Sequence, residues 1–201
     1  GLKGTDGPEI LEHAIRLGAT PVAPQRAVEA LRAFRAASSS SSEIITCPYQ
    51  MGEEPAREAG LNPEIIHGIP RERTTGEDTK RAAKLLIEHK VDLLLFVGGD
   101  GTARDIFEAV DQRIPCLGIP AGVKVYSAVF STSPRSGGSL AARYLDGEVT
   151  LIDAEVLDVD EAEFRMDRIS TRLCGYLRVP FQVANLQAAK TTSPIDDDER
   201  S

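Results

Sequence analysis

Leu93-Leu94-Leu95-Phe96-Val97 runs straight into Gly98-Gly99-Asp100-Gly101-Thr102, and the residues that follow, from Ala103 to Val110, have helical spacing. Three glycines around one carboxylate are costly to order, so the chemistry must need bare main chain and one acid at this point. Gly98, Gly99 and Gly101 put no Cβ in the way of a ligand and can take backbone angles closed to other residues. A pyrophosphate can lie against such a stretch, and the following helix offers it unpaired N–H groups. Asp100 does not fit phosphate binding, because like charges repel. A helix terminus would stabilise it by only about 0.3–1 kcal/mol. Two uses remain open: accepting the proton of a sugar hydroxyl, or holding a metal ion with its waters. Thr102 and Asp105 match the Thr-x-x-Asp form of a capping box and mark the helix start. Arg104, in the first turn, either reaches phosphate or is solvated. Further on, Lys124 follows Gly122 in the loop "AGVKVYSAVFSTSP". It either neutralises a transferring phosphoryl group or is an exposed lysine.

Positioning such a group takes an open α/β sheet. "DLLLFV" (92–97) lacks alternation, as in a parallel strand covered on both faces. Its carboxyl end is where ligands of such sheets bind. Strands are predicted at 43–47, 64–69 and 115–120, and helices at 8–18, 23–37, 53–60, 77–89, 103–112 and from about 136 to Gly147. Strand and helix alternate, which predicts a Rossmann-like open parallel sheet with helices on both faces over 1–147. After Gly147 the texture changes to partly alternating strands, "EVTLIDAEVLDVD" and "EFRMDRISTRLCGYLRVP", joined by an acidic turn. These read as the start of a β-rich second domain over 148–190, followed by a disordered polar tail at 191–201. The five serines from Ser38 to Ser42 read as a flexible surface loop.

The totals bound the function classes. Apolar residues make up 41 % of 201, enough for a core, and a formal net charge of −8 argues against a nucleic-acid-binding surface over the whole protein. No apolar run approaches the length of a membrane span, and no secretory signal is visible. Cys47, Cys116 and Cys174 are too far apart for a disulfide framework or zinc site, so a reducing cytoplasm is the expected location.

Other candidates carry a plainer reading beside the functional one. Gly4-Thr5-Asp6-Gly7 echoes the main motif and is either a second anion-binding turn or an N-capping turn. Asp78 and Thr79 read as helix-start residues. His13, His67 and His89 are dispersed and read as structural or surface groups. The acids of "LDVDEAEF" read as a solvated turn rather than a metal site. Neither a Gly-x-x-x-x-Gly-Lys-Ser/Thr loop nor Gly-x-Gly-x-x-Gly occurs.

"FVGGDGT" resembles the motif of the NAD kinases, whose superfamily includes diacylglycerol kinases, sphingosine kinases and, more distantly, phosphofructokinases. "GLKGTDG", "GATPVAPQRA", "TTGEDTKRAA", "GIPAGVKVYSAVFSTSP" and "EVLDVDEAEFR" make the chain similar, to about residue 190, to archaeal and bacterial ATP-NAD kinase-like proteins, the branch grouped with AcoX-type proteins. The resemblance implies phosphorylation of the 2′-hydroxyl of NAD's adenosine ribose to give NADP. ATP or polyphosphate would be the donor, and Mg²⁺ is expected with it because charge on the transferring phosphates must be offset. It implies Asp100 as the general base on that hydroxyl, and Gly99 and Gly101 as the glycines that admit the dinucleotide. Gly98, Thr102, Arg104, Gly122 and Lys124 complete the expected binding set. Two departures stand out. "GIPAGVK" (118–124) replaces the Gly-Ile-Asn stretch of ordinary NAD kinases, and the family's first strand and most of its long β-rich domain are absent, which implies a truncated member. Small-molecule nucleotides are the expected partners, without nucleic acid or membrane, in a homo-oligomer. A lipid or small-alcohol kinase and a non-catalytic nucleotide-binding module are the alternatives.

Overall fold

The computed structural model describes Arg16 and residues 22–69, 74–122, 124–159 and 170–182. The predicted 8–18 helix (Arg16 apart, which is helical), the Gly4–Gly7 turn, His13, the acidic turn after Val159 and the 191–201 tail lie outside these. The order is α1 (Ala23–Ala37), β1 (Ile45–Thr46), a 3₁₀ turn (Tyr49–Met51), α2 (Glu53–Glu58), β2 (Glu64–Ile65), α3 (Gly76–Glu88), β3 (Leu94–Gly98), α4 (Asp100–Val110), β4 (Cys116–Pro120), α5 (Pro134–Leu145), β5 (Thr150–Val159) and β6 (Thr171–Phe181). β1 pairs with β2 and β3 with β4, both parallel, while β5 and β6 pair antiparallel. The fold is therefore mixed α/β, as the alternation predicts, with its parallel strands in pairs and antiparallel strands after them.

The β3–β4 pair forms the floor of the site. Leu94 faces Cys116 and Gly98 faces Pro120 at the two ends of the register. All five residues of β4 are buried, and Leu94 and Phe96 of β3 join Leu117 and Ile119 in the core. β3 alternates buried and partly buried residues, and with neither set exposed its sequence shows no apolar/polar alternation. α1 and α4 both pack on β3. α3 starts where Thr75 donates its N–H and Oγ–H to Asp78 Oδ2, at 2.8 and 2.9 Å, so Asp78 is a helix-start residue as read.

α1 and α5 lie in close contact because α5 carries small residues. A Cβ on Gly138 would collide with the Ala30 carbonyl oxygen and stand 2.9 Å from the Phe34 amide nitrogen. β5 and β6 pack on α4, and Ala154, Val156, Leu177 and Val179 join the same buried cluster as β3 and β4. The described part of the β-rich segment thus shares its core with the α/β part, which relieves a hairpin that would be marginal alone.

The serine run is a surface loop, as read, and it is tethered. Asp146, the residue after α5, accepts from the Ser39 amide at 3.0 Å and from the Ser40 hydroxyl at 2.7 Å. Those two bonds hold the Asp146 carboxyl below the usual carboxylate range, the Ser39 amide being the main cause.

Candidate functional site

β3 delivers the chain to the carboxyl end of the parallel pair, and α4 begins there at once. Gly99 is its N-cap and Asp100 its first residue, three residues earlier than the sequence predicts. The capping box of Thr102 and Asp105 is not formed; the N-cap makes no side-chain bond. Thr102 instead lies over Gly98, where a Cβ would come within 2.5 Å of the Thr102 Cβ. Gly98 is thus bare to admit a threonine of its own chain rather than a ligand. None of Gly98, Gly99 and Gly101 has positive φ, so unusual backbone angles are not what the glycines supply. Gly99 keeps an extended backbone with nothing within 4 Å of a would-be Cβ, and Gly122 is equally open. These two present accessible main chain at the ends of β3 and β4, and the Ala121 amide ties the turn together by donating to the Gly98 carbonyl at 2.9 Å. Gly101 is the second residue of α4.

The loop after β4 is brought over this turn by Gly118. Its amide donates to Val129 and its carbonyl accepts from Ser131, both at 2.9 Å, so 129–131 returns alongside β4. The Phe130 ring fills the space where Gly118 lacks a Cβ and meets Phe96 edge-on at 5.5 Å. With both ends fixed, the loop passes Tyr126 and Ser127 across Asp100.

Asp100 is half-buried and held by three donors. The Tyr126 amide reaches Oδ1 at 3.1 Å and Oδ2 at 2.9 Å, the Ser127 amide reaches Oδ1 at 2.8 Å, and the Ser127 hydroxyl lies 2.6 Å from Oδ1. A carboxylate offers about four acceptor positions. Oδ1 is saturated, and among the described residues Oδ2 takes only the Tyr126 N–H. The Ser127 hydroxyl also accepts the Leu157 amide at 3.0 Å, joining the turn to β5. Tyr126 and Ser127 lie in the loop read after the 115–120 strand, but nothing local reveals their bonds to an acid 26 and 27 residues upstream.

Arg104 and the described histidines make their contacts away from Asp100. Arg104 turns to β5, where its Nη1 meets Asp158 at 2.8 Å, and it lies 3.6 Å from Asp105. It is neither simply solvated nor aimed at the open glycines, because two carboxylates compete for it. Lys124 is exposed in the loop that also carries Tyr126. His67 is exposed, and the His89 Nδ1 lies 2.9 Å from the Leu85 carbonyl at the end of α3. Cys47, Cys116 and Cys174 are free thiols, and burial pushes Cys116 up to about 12. Among the described residues, no three His, Cys, Asp or Glu side chains converge as metal ligands, and no helix is long and apolar enough to cross a membrane.

Residues 10–149 match the family model of the ATP-NAD kinase N-terminal domain, which covers well over half of the chain. The chain belongs to this family. The match spans β3, the Gly98–Thr102 turn and the loop that holds Asp100, and ends one residue before β5. No curated protein matches the chain.

Proposed function

We propose that this chain is the nucleotide-binding part of a kinase that phosphorylates the 2′-hydroxyl of the adenosine ribose of NAD, giving NADP, with ATP or polyphosphate as donor. The observation that carries this reading is Asp100. It directly follows the open main chain at Gly99 and is bound by the loop that follows the equally open Gly122, with one oxygen saturated and the other retaining an acceptor position. Gly99, Gly101 and Gly122 would admit the phosphates of the dinucleotide, and the N-terminus of α4 favours their charge. Asp100 repels phosphate, so it suits the neighbouring hydroxyl. In the transfer, Oδ2 of Asp100 accepts the 2′-hydroxyl proton while the ribose 2′-oxygen bonds to phosphorus and the bond from phosphorus to the donor's leaving oxygen breaks. Lys124 contributes positive charge near the transferred group.

Mg²⁺ would accompany the donor's phosphates and offset their charge. The described residues provide no carboxylate cluster to hold it independently. A cytoplasmic setting and a homo-oligomeric state belong to the same proposal.

The test is incubation of the natural protein containing this chain with NAD, Mg²⁺ and either donor. NADP is expected, with Asp100→Asn lowering kcat by about 10²–10⁴. Absence of NADP with both donors overturns the reading. The bonds of Asp100 to Tyr126 and Ser127 also suit a second reading, a nucleotide-binding module in which the acid only staples the loop. That reading expects NAD binding in calorimetry to survive Asp100→Asn, with no turnover in either protein.

A further inference from the structure

Ser127 is fully buried, and its hydroxyl stands at a junction of three elements. It accepts the amide of Leu157 on β5 at 3.0 Å, and its own proton has two possible acceptors. Asp100 Oδ1 is at 2.6 Å and the Leu157 carbonyl at 3.2 Å. The shorter contact is to a charged acceptor, and charge-assisted O–H···O⁻ bonds are both shorter and stronger than neutral ones. The proton therefore points to Asp100. Together with the Ser127 amide at 2.8 Å, it fills Oδ1 and leaves the unused acceptor position on Oδ2.

We propose that Ser127 is a positioning residue for Asp100, and that it selects Oδ2 as the oxygen that takes the proton of the sugar hydroxyl. This rests on the NAD kinase reading above and adds to it a residue that acts through Asp100 without touching the substrate. Without the hydroxyl, Oδ1 regains an acceptor position, and the carboxylate can rotate about its Cβ–Cγ bond to share its contacts differently. β5 takes part as well, since the Leu157 amide fixes which way the hydroxyl points. The orientation of Asp100 thus depends on a strand beyond the matched family segment, which ends at residue 149.

The experiment compares wild type, Ser127→Ala, Ser127→Cys and Ser131→Ala in the natural protein, with NAD and the donor that supports turnover. Ser131 is also fully buried and donates its hydroxyl to the Ser133 carbonyl at 2.9 Å, away from Asp100, so it reports the loss of a buried hydroxyl as such. Ser127→Ala is expected to lower kcat by about 10- to 100-fold, the scale of a small misplacement at a reacting group, with KM for NAD within about twofold. Ser127→Cys, whose thiol donates weakly, should fall between it and wild type, and it carries the test if the alanine variant does not fold. Ser131→Ala should keep the wild-type kcat. A wild-type kcat in Ser127→Ala, or equal losses in the 127 and 131 variants, overturns the positioning role while the kinase reading stands. If wild type itself makes no NADP with either donor, the kinase reading falls and takes the positioning role with it.

Discussion

Arg104 of α4 and Asp158 of β5 meet at 2.8 Å across 54 residues of chain. Arg104 stands one turn beyond Asp100, and Asp158 follows Leu157, whose amide is bound by Ser127. β5 therefore grips the first turns of α4 at two points, one ionic and one through a buried hydroxyl.

The ionic grip is partly exposed, with side-chain exposures of 36 % for Arg104 and 26 % for Asp158. Pairs of this kind are typically worth about 0.2–1 kcal/mol. A double-mutant cycle of Arg104→Ala and Asp158→Ala, read by urea unfolding, should return a coupling in that range that shrinks as salt is raised. A coupling indistinguishable from zero at low salt would show that the pair does not dock β5.

The glycines of the turn have separate tasks. Gly98 faces Thr102, and an added Cβ would stand 2.5 Å from the Thr102 Cβ, both being close to the backbone and unable to yield. Gly98→Ala should cost about 1–3 kcal/mol in unfolding free energy, as overpacking does. Gly99 has φ −120° and nothing within 4 Å of a would-be Cβ. Gly99→Ala should change stability by less than about 0.5 kcal/mol while weakening NAD binding in calorimetry. Equal stability losses in the two variants would contradict this division.

The sequence reveals what local rules control. α1 at 23–37 follows from helical spacing, and the expected start of α3 at 77, with Asp78 read as a helix-start residue, lies one residue from the observed one, signals contained within a few residues. Asp100 stands out because no other acid is framed by three glycines near the end of a buried strand. α4 starts three residues before its expected place because its glycines resemble a loop, whereas Gly101 is helical and Thr102 folds back over Gly98 instead of capping. The partners of Asp100 and of Arg104 were not legible at all. They depend on Gly118 and Phe130 turning the loop back, and on β5 crossing α4, which only the assembled fold specifies. The serine run shows the same limit, since its composition suits a free loop and its tether, Asp146, is 106 residues from Ser40.

That tether gives a pH-dependent prediction. Asp146 has its carboxyl lowered by the Ser39 amide and then the Ser40 hydroxyl. A depressed folded value means that the contribution is present above the unfolded carboxylate value and is lost as pH falls through the folded one. Amide exchange at Ser39 should be slow at neutral pH, and, after correction for intrinsic rates, its protection should drop at acidic pH. Asp146→Ala should remove the protection at all pH values. Unchanged protection in Asp146→Ala would mean that the serine run is held by something else.

Asp105 is expected to behave in the opposite sense. Its carboxyl is raised, chiefly by burial, and Glu108 adds to the rise, while Arg104 and Lys80 oppose it without overcoming it. Its Oδ2 also lies 2.7 Å from where a Cβ on Gly76 would stand, so the carboxyl is pressed against the start of α3 with little room for water. A raised folded value makes the ionised form a cost to folding. The Asp105 contribution is fully present below the unfolded carboxylate value and is lost as pH rises through the folded one. Asp105→Asn keeps the shape and removes the charge, so its Tm should exceed that of wild type at pH 7–8. The gap should close as pH falls through the raised value and Asp105 becomes protonated in the folded wild type. A Tm below wild type at pH 8 would show that the attraction of Arg104 and Lys80 outweighs the burial, and that this acid helps to hold α3 against α4 in its charged form.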